Sequence, residues 1–104
     1  MIISTTPSIE GHSVTDYLGV VTAQGVLGVN IFRDVAAGMR NIFGGRSQSY
    51  ENELAAGVSD SLVELEKQAG QLGADAVIGV DIDYEALGSQ MLMISASGTA
   101  VKLA

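Results

Sequence analysis

Seven apolar side chains, Tyr50, Leu54, Val58, Leu62, Leu65, Ala69 and Leu72, recur at steps of 4, 4, 4, 3, 4 and 3. That spacing puts them on one face of an α-helix and on no face of a strand. Ser47 or Ser49 can cap its start, Glu51 and Glu53 suit the positive end of the helix dipole, and Gly73 suits the position just past the C-cap. The pattern predicts a helix of about 25 residues, roughly 37 Å long. A helix of this length with one apolar stripe must lie across another layer. Gly57 inside it costs about 1 kcal/mol relative to alanine, and it allows a close approach by whatever the helix covers.

The flanking segments supply that second layer. Residues 74–86 alternate, with Ala76, Ile78, Val80, Ile82 and Tyr84 on one side and Asp75, Val77, Gly79, Asp81, Asp83 and Glu85 on the other. Residues 91–103 read as a second strand, and Gly88-Ser89 between them is a turn signal, so the two form an antiparallel hairpin. Residues 14–26 are rich in Val, Thr, Tyr and Leu and carry Gly19 and Gly25, which reads as one long strand bulged at a glycine. Ile2 to Thr5 is a short β-branched run stopped by Pro7. Between the long strand and the long helix, Asn30 is a plausible N-cap, Asp34 sits in the first turn, and Ile31, Val35, Met39 and Ile42 are spaced 4, 4 and 3, a short helix ended by Gly44-Gly45. The expected order is β-β-α-α-β-β: an α+β, two-layer fold with one long and one short helix packed on an antiparallel sheet. With 104 residues and no internal repeat, the chain forms a single domain over 1–104.

Composition excludes several functions. Twelve acidic against five basic residues leave a formal charge of −7 and no basic run, so neither nucleic acid nor an anionic membrane is an expected partner. One His and no Cys remove zinc fingers, iron–sulfur clusters, disulfides and cysteine nucleophiles. The opening residues lack a basic n-region and an apolar h-region, and no window approaches a spanning helix, so a soluble cytoplasmic protein is expected. Hydrophobic residues make up 47% and charged residues only 16%, sparse charge for so small a body, which points to apolar surface covered by other subunits. Gly19, Ala23, Gly25, Gly79, Ala96, Ser97 and Gly98 give the strands little side-chain volume, which suits close contact with the helix or a neighbouring subunit in a closed ring.

Four phrases carry a resemblance. They are Thr5-Thr6-Pro7 with Ile9-Glu10-Gly11; Gly44-Gly45-Arg46 followed by Tyr50-Glu51; Gly73-Ala74-Asp75-Ala76-Val77-Ile78-Gly79 into Asp83-Tyr84-Glu85; and Gly98-Thr99-Ala100-Val101. In this order and spacing the chain resembles, over essentially its whole length, the YbjQ family of small bacterial proteins, sometimes labelled heavy-metal-binding. The resemblance implies a ring-forming α+β subunit similar to dodecin subunits, assembled as a homopentamer.

Two groups of side chains are candidates for a site. Arg46, Tyr50 and Glu51 open the long helix behind two glycines, where amides, dipole and guanidinium together suit an anionic or small-molecule ligand. The plainer reading has the glycines permit a tight turn and Arg46 pair with a carboxylate such as Glu51. Asp81 and Asp83, with Glu85, share one strand face, where clustered carboxylates suit a hard divalent cation or form acidic rings in a cyclic assembly. The plainer reading is a solvated strand face that blunts an edge. His12 beside Gly11 reads as a loop residue, and Met91 and Met93 as packing side chains. No acid–base pair is evident, so no catalytic residue is assigned. Nothing indicates an organic cofactor, and a divalent cation is the one cofactor the residues suggest. The expected function is an oligomeric small-molecule or ion-binding or scaffold protein. The alternative is metal binding or sequestration by carboxylates at subunit interfaces.

Overall fold

The computed structural model describes residues 1–27, 45–87 and 91–104, with side chains from residue 51 onward in the helix. The described elements are β1 (Ile2–Ile3), β2 (Val14–Leu27), α1 (Gly45–Gln71), β3 (Ala76–Ala86) and β4 (Leu92–Leu103). The short helix expected over residues 30–42 lies outside the described residues. Among those described there is one helix on a four-stranded mixed sheet, in the order β-β-α-β-β, which corrects the expected β-β-α-α-β-β arrangement on an antiparallel sheet.

The strand order is β1-β3-β4-β2. β3 and β4 form the expected antiparallel hairpin, and β2 pairs antiparallel along the other side of β4. With both sides of β4 taken, β1 adds to the outer edge of β3. There it runs parallel, Ile2 opposite Ala76 and Ile3 opposite Val77. Sequence neighbours β1 and β2 therefore sit at opposite edges, and residues 4–13 cross the sheet between them. Ile9 in that crossing packs with Ala76, Ile78, Val101, Val14 and Leu103 on the face away from the helix. Because the crossing returns the chain to the same end of the sheet, β1 and β2 point the same way; a two-residue hairpin would have made them antiparallel.

The helix matches its stripe. Leu65 and Ala69 are fully buried and pack with Val21, Ala23, Val77, Val80, Ala96 and Ala100. Its C-terminus closes as a Schellman motif: Gly73 takes φ +78°, its N–H donates to Gly70 O at 3.0 Å, and Ala74 N–H donates to Ala69 O at 3.0 Å. Leu72, counted in the stripe, falls past the last helical residue and is 47% exposed. Ser61 is buried in its stead, its hydroxyl donating to Gly57 O at 2.9 Å.

Two glycines set the distance between and within layers. A Cβ on Gly57 would lie 2.6 Å from Ile94 Cδ1, so the helix rests directly on β4 there. A Cβ on Gly98 would lie 2.6 Å from Val77 Cγ1, 3.1 Å from Val80 Cγ2 and 3.3 Å from Ile78 O. Gly98 faces an irregularity in β3, where the register with β4 shifts between Ile78 and Asp81 and Gly79 takes φ +60°. The extra residue flips the alternation. Val77 and Val80 both face the helix, while Ala76 and Ile78 face away, so the single apolar face expected for Ala76, Ile78, Val80 and Ile82 is split between two cores. The crossing segment stitches the bulge: Gly79 N–H donates to Thr6 O at 2.9 Å and Val80 N–H to Ser4 O at 3.1 Å. β2 is irregular in the same way at Gly19, as its sequence suggested.

Gly98→Ala should lower unfolding stability by about 1–3 kcal/mol, since stiff β-branched side chains and a carbonyl must give way. Gly57→Ala should cost less, because it meets only the end of Ile94 and regains about 1 kcal/mol of helix propensity. Urea denaturation of the two variants checks the ranking.

Candidate functional site

Arg46, Tyr50 and Glu51 occupy the first two turns of α1, at i, i+4 and i+5. The side chains of Arg46 and Tyr50 lie outside the described residues; Glu51 is exposed. The helix lies against one face of the sheet. Asp81 and Asp83 point from the other, because the bulge at Gly79 sends Val80 and Ile82 to the helix and the odd-numbered residues away. α1 and the acid pair thus lie on opposite faces of the sheet.

On this outer face Asp81 lies opposite Ser97, Asp83 opposite Ser95 and Glu85 opposite Met93. All three acids are exposed. The Asp83 carboxyl is raised above its ordinary value, first by a hydrogen bond with the Asp81 carboxyl, then by the Asp81 charge and by a small loss of hydration. Like charges this near each other are relieved by a proton or a cation. No group of three or more metal-ligating His, Cys, Asp or Glu side chains occurs among the described residues. One subunit therefore offers a pair of oxygen ligands here, short of the six to eight that calcium takes. His12 is exposed in its turn, with its backbone N–H donating to Ile9 O at 3.1 Å.

The same outer face carries exposed apolar side chains at both ends of β2, with the polar Thr22 and Gln24 between them. Tyr17, Val20 and Val26 are 73%, 74% and 54% exposed, and Val26 lies opposite Met93.

A second concavity was not anticipated. It is a groove of about 530 Å³ between the free edge of β2 and the flank of α1, with Asp60, Glu64 and Gln68 on its helical wall. Gln68 reaches across one end. Its Nε2 donates to Thr22 O at 2.7 Å and to Glu64 Oε1 at 3.3 Å, and Thr22 N–H donates to its Oε1 at 3.2 Å. The signal was present in the spacing of residues 60, 64 and 68 along one helix flank. That Gln68 meets a strand edge depends on β2 being outermost, which no local pattern states.

A long helix across a four-stranded mixed sheet, with an acid pair on the open face and no three-ligand metal cluster among the described residues, defines a small two-layer α+β domain. The whole chain, residues 1–104, matches the YbjQ family, described as "Putative heavy-metal-binding", and the protein belongs to that family. A UPF0145 protein of Bifidobacterium longum strain DJO10A is 51% identical over 106 residues, covering 100% of this chain and 96% of the relative. Another, from Bifidobacterium longum subsp. infantis, is 50% identical over 105 residues, covering 99% of this chain and 96% of the relative. A crystal structure of a protein of unknown function, of the DUF74 family from Pediococcus pentosaceus, superposes with a TM-score of 0.65 at 20% identity. It covers 100% of this chain and 98% of its own and shows the fold alone.

Asp81→Asn should raise the denaturation midpoint at neutral pH by removing the repulsion. A carboxyl raised on folding binds more protons in the native than in the unfolded state between its two pKa values, so the wild type loses stability as pH rises through that window. The gap between variant and wild type should close as pH falls below the ordinary carboxylate range. Urea titrations at several pH values measure it.

Proposed function

We propose that this chain is the subunit of a homopentameric, non-enzymatic binding or scaffold module of the bacterial cytoplasm, with a small-molecule or ion ligand at its subunit interfaces. The observation that carries this reading is the set of exposed apolar side chains on the outer face of β2. Tyr17, Val20 and Val26 together leave bare the kind of surface that small soluble domains cover with a neighbour. A contact between this face and a different surface of the next copy is heterologous and closes into a ring when the rotation allows. The five-fold count rests on the family. Arg46, Tyr50 and Glu51, in the first two turns of α1, are the ligand-binding candidates.

A second reading, metal binding or sequestration, is favoured by the neighbouring Asp81 and Asp83 on one strand face, where Asp81 raises the Asp83 carboxyl. A divalent cation relieves that repulsion, and pairs brought together round an axis supply the oxygen ligands that one subunit lacks.

Native mass spectrometry before and after EDTA tests both readings. A pentamer that loses metal-ion increments on chelation, and an Asp81→Asn variant that never carries them, support carboxylate metal sites. A pentamer at bare polypeptide mass in both samples leaves the scaffold or small-molecule reading. A monomer overturns the assembly.

A further inference from the structure

The groove between β2 and α1 has a specific cause. Ala23, Gly25 and Leu27 turn toward the helix, and no described residue comes within 4 Å of the place a Cβ on Gly25 would occupy. Facing it are Gly57 and Ser61, both small. Small residues on both walls hold a space open beside a strand whose outer edge has no neighbouring strand among the described residues.

That edge already binds one amide. The Gln68 carboxamide takes both the N–H and the C=O of Thr22, as the backbone of an added strand would. In an antiparallel ladder every second residue turns both groups outward. The pairing of Thr22 to Leu27 with β4 is regular, so Gln24 and Val26 present the next two outward pairs, along the groove and beyond the reach of Gln68. A strand edge flanked by a helix is the arrangement by which domains add an extended peptide as an extra strand, backbone bonds giving affinity and alternate side chains giving selectivity. Here the helical wall carries Asp60 and Glu64, one turn apart and exposed. They select the charge of the guest.

We propose that the β2–α1 groove binds an extended basic peptide segment by strand addition at Gln24 and Val26, with its lysine or arginine side chains against Asp60 and Glu64 and Gln68 closing the end of the site. The site lies within one subunit and does not use the carboxylates of the opposite face; Val26 offers its backbone edge to the peptide and its outer side chain to the neighbouring copy.

The test uses the full chain and two end-blocked, fluorescein-labelled octapeptides, one alternating lysine with valine and one alternating glutamate with valine. Anisotropy titrations should show the lysine peptide binding and the glutamate peptide at least about tenfold weaker, with a loss of affinity as salt is raised. The doubly substituted Asp60→Asn, Glu64→Gln protein, altered only at exposed positions, should bind the lysine peptide about three- to tenfold more weakly. Gly25→Val, which fills the open space with a good strand former, should abolish binding with its unfolding midpoint held or raised. Hydrogen exchange should show the Gln24 and Val26 amides slowed by the lysine peptide. Equal binding of the two peptides, undiminished binding by the doubly substituted protein, or binding without protection of those two amides overturns the proposal. So does protection of both amides before any peptide is added, which would mean that a second copy already covers the edge.

Discussion

The bulge at Gly79, closed down on the bare Cα of Gly98, decides which way the rest of β3 points. Val77 faces the helix; with strict alternation, residues 79, 81, 83 and 85 would face it too, and three carboxylates would be pressed against Leu62 and Leu65. Burying unpaired charge in that way is far costlier than a bulge. One extra residue sends Val80 and Ile82 into the core instead and leaves Asp81, Asp83 and Glu85 in water. The arrangement holds only because β4 has no side chain at Gly98, where the β-branched groups of Val77 and Val80 close in. Acid chemistry on the open face and apolar packing on the covered face both follow from this pair of glycines.

The two edges of the sheet are treated differently. At β3 the first two residues pair with β1, and the crossing segment supplies hydrogen bonds to Gly79 and Val80. At β2 a side chain does the work of a strand, Gln68 occupying the Thr22 backbone from the helix. Blocking part of an edge restrains indiscriminate pairing and concentrates what remains at Gln24 and Val26. The helix is thus more than a lid on the core. Its inward stripe fixes the layers, and its flank, at Asp60, Glu64 and Gln68, shapes the outer edge of β2.

Much of this was legible in residues alone. The stripe from Leu54 to Ala69 and the glycine at 73 placed the helix to within a turn, since period and cap are local properties of the chain. The β3–β4 hairpin and the bulge near Gly19 were legible for the same reason. The mixed sheet was not. Ile2-Ile3 reads equally well beside any strand, and its parallel pairing with β3 goes with hydrogen bonds that the following residues, Ser4 and Thr6, make to Val77, Gly79 and Val80. The acid pair was legible as a pair because i and i+2 share a face on any regular strand. Its face was not, because the bulge that sets it answers to Val77, Val80 and Gly98 meeting across strands. Arg46, Tyr50 and Glu51 are where the helix pattern put them, at the start of α1.

By itself, then, the sequence determined the family, the long helix with its C-terminal stop, the hairpin, and the acidic, cysteine-free chemistry. Each is written in spacing or composition over a few neighbouring residues. Only the tertiary structure decided the strand order, the parity of β3, the exposure of Leu72 against the burial of Ser61, and the groove beside β2. Those depend on contacts between residues far apart in the chain, such as Thr22 with Gln68 and Gly98 with Val77, whose partners are chosen by packing and hydrogen bonding between layers.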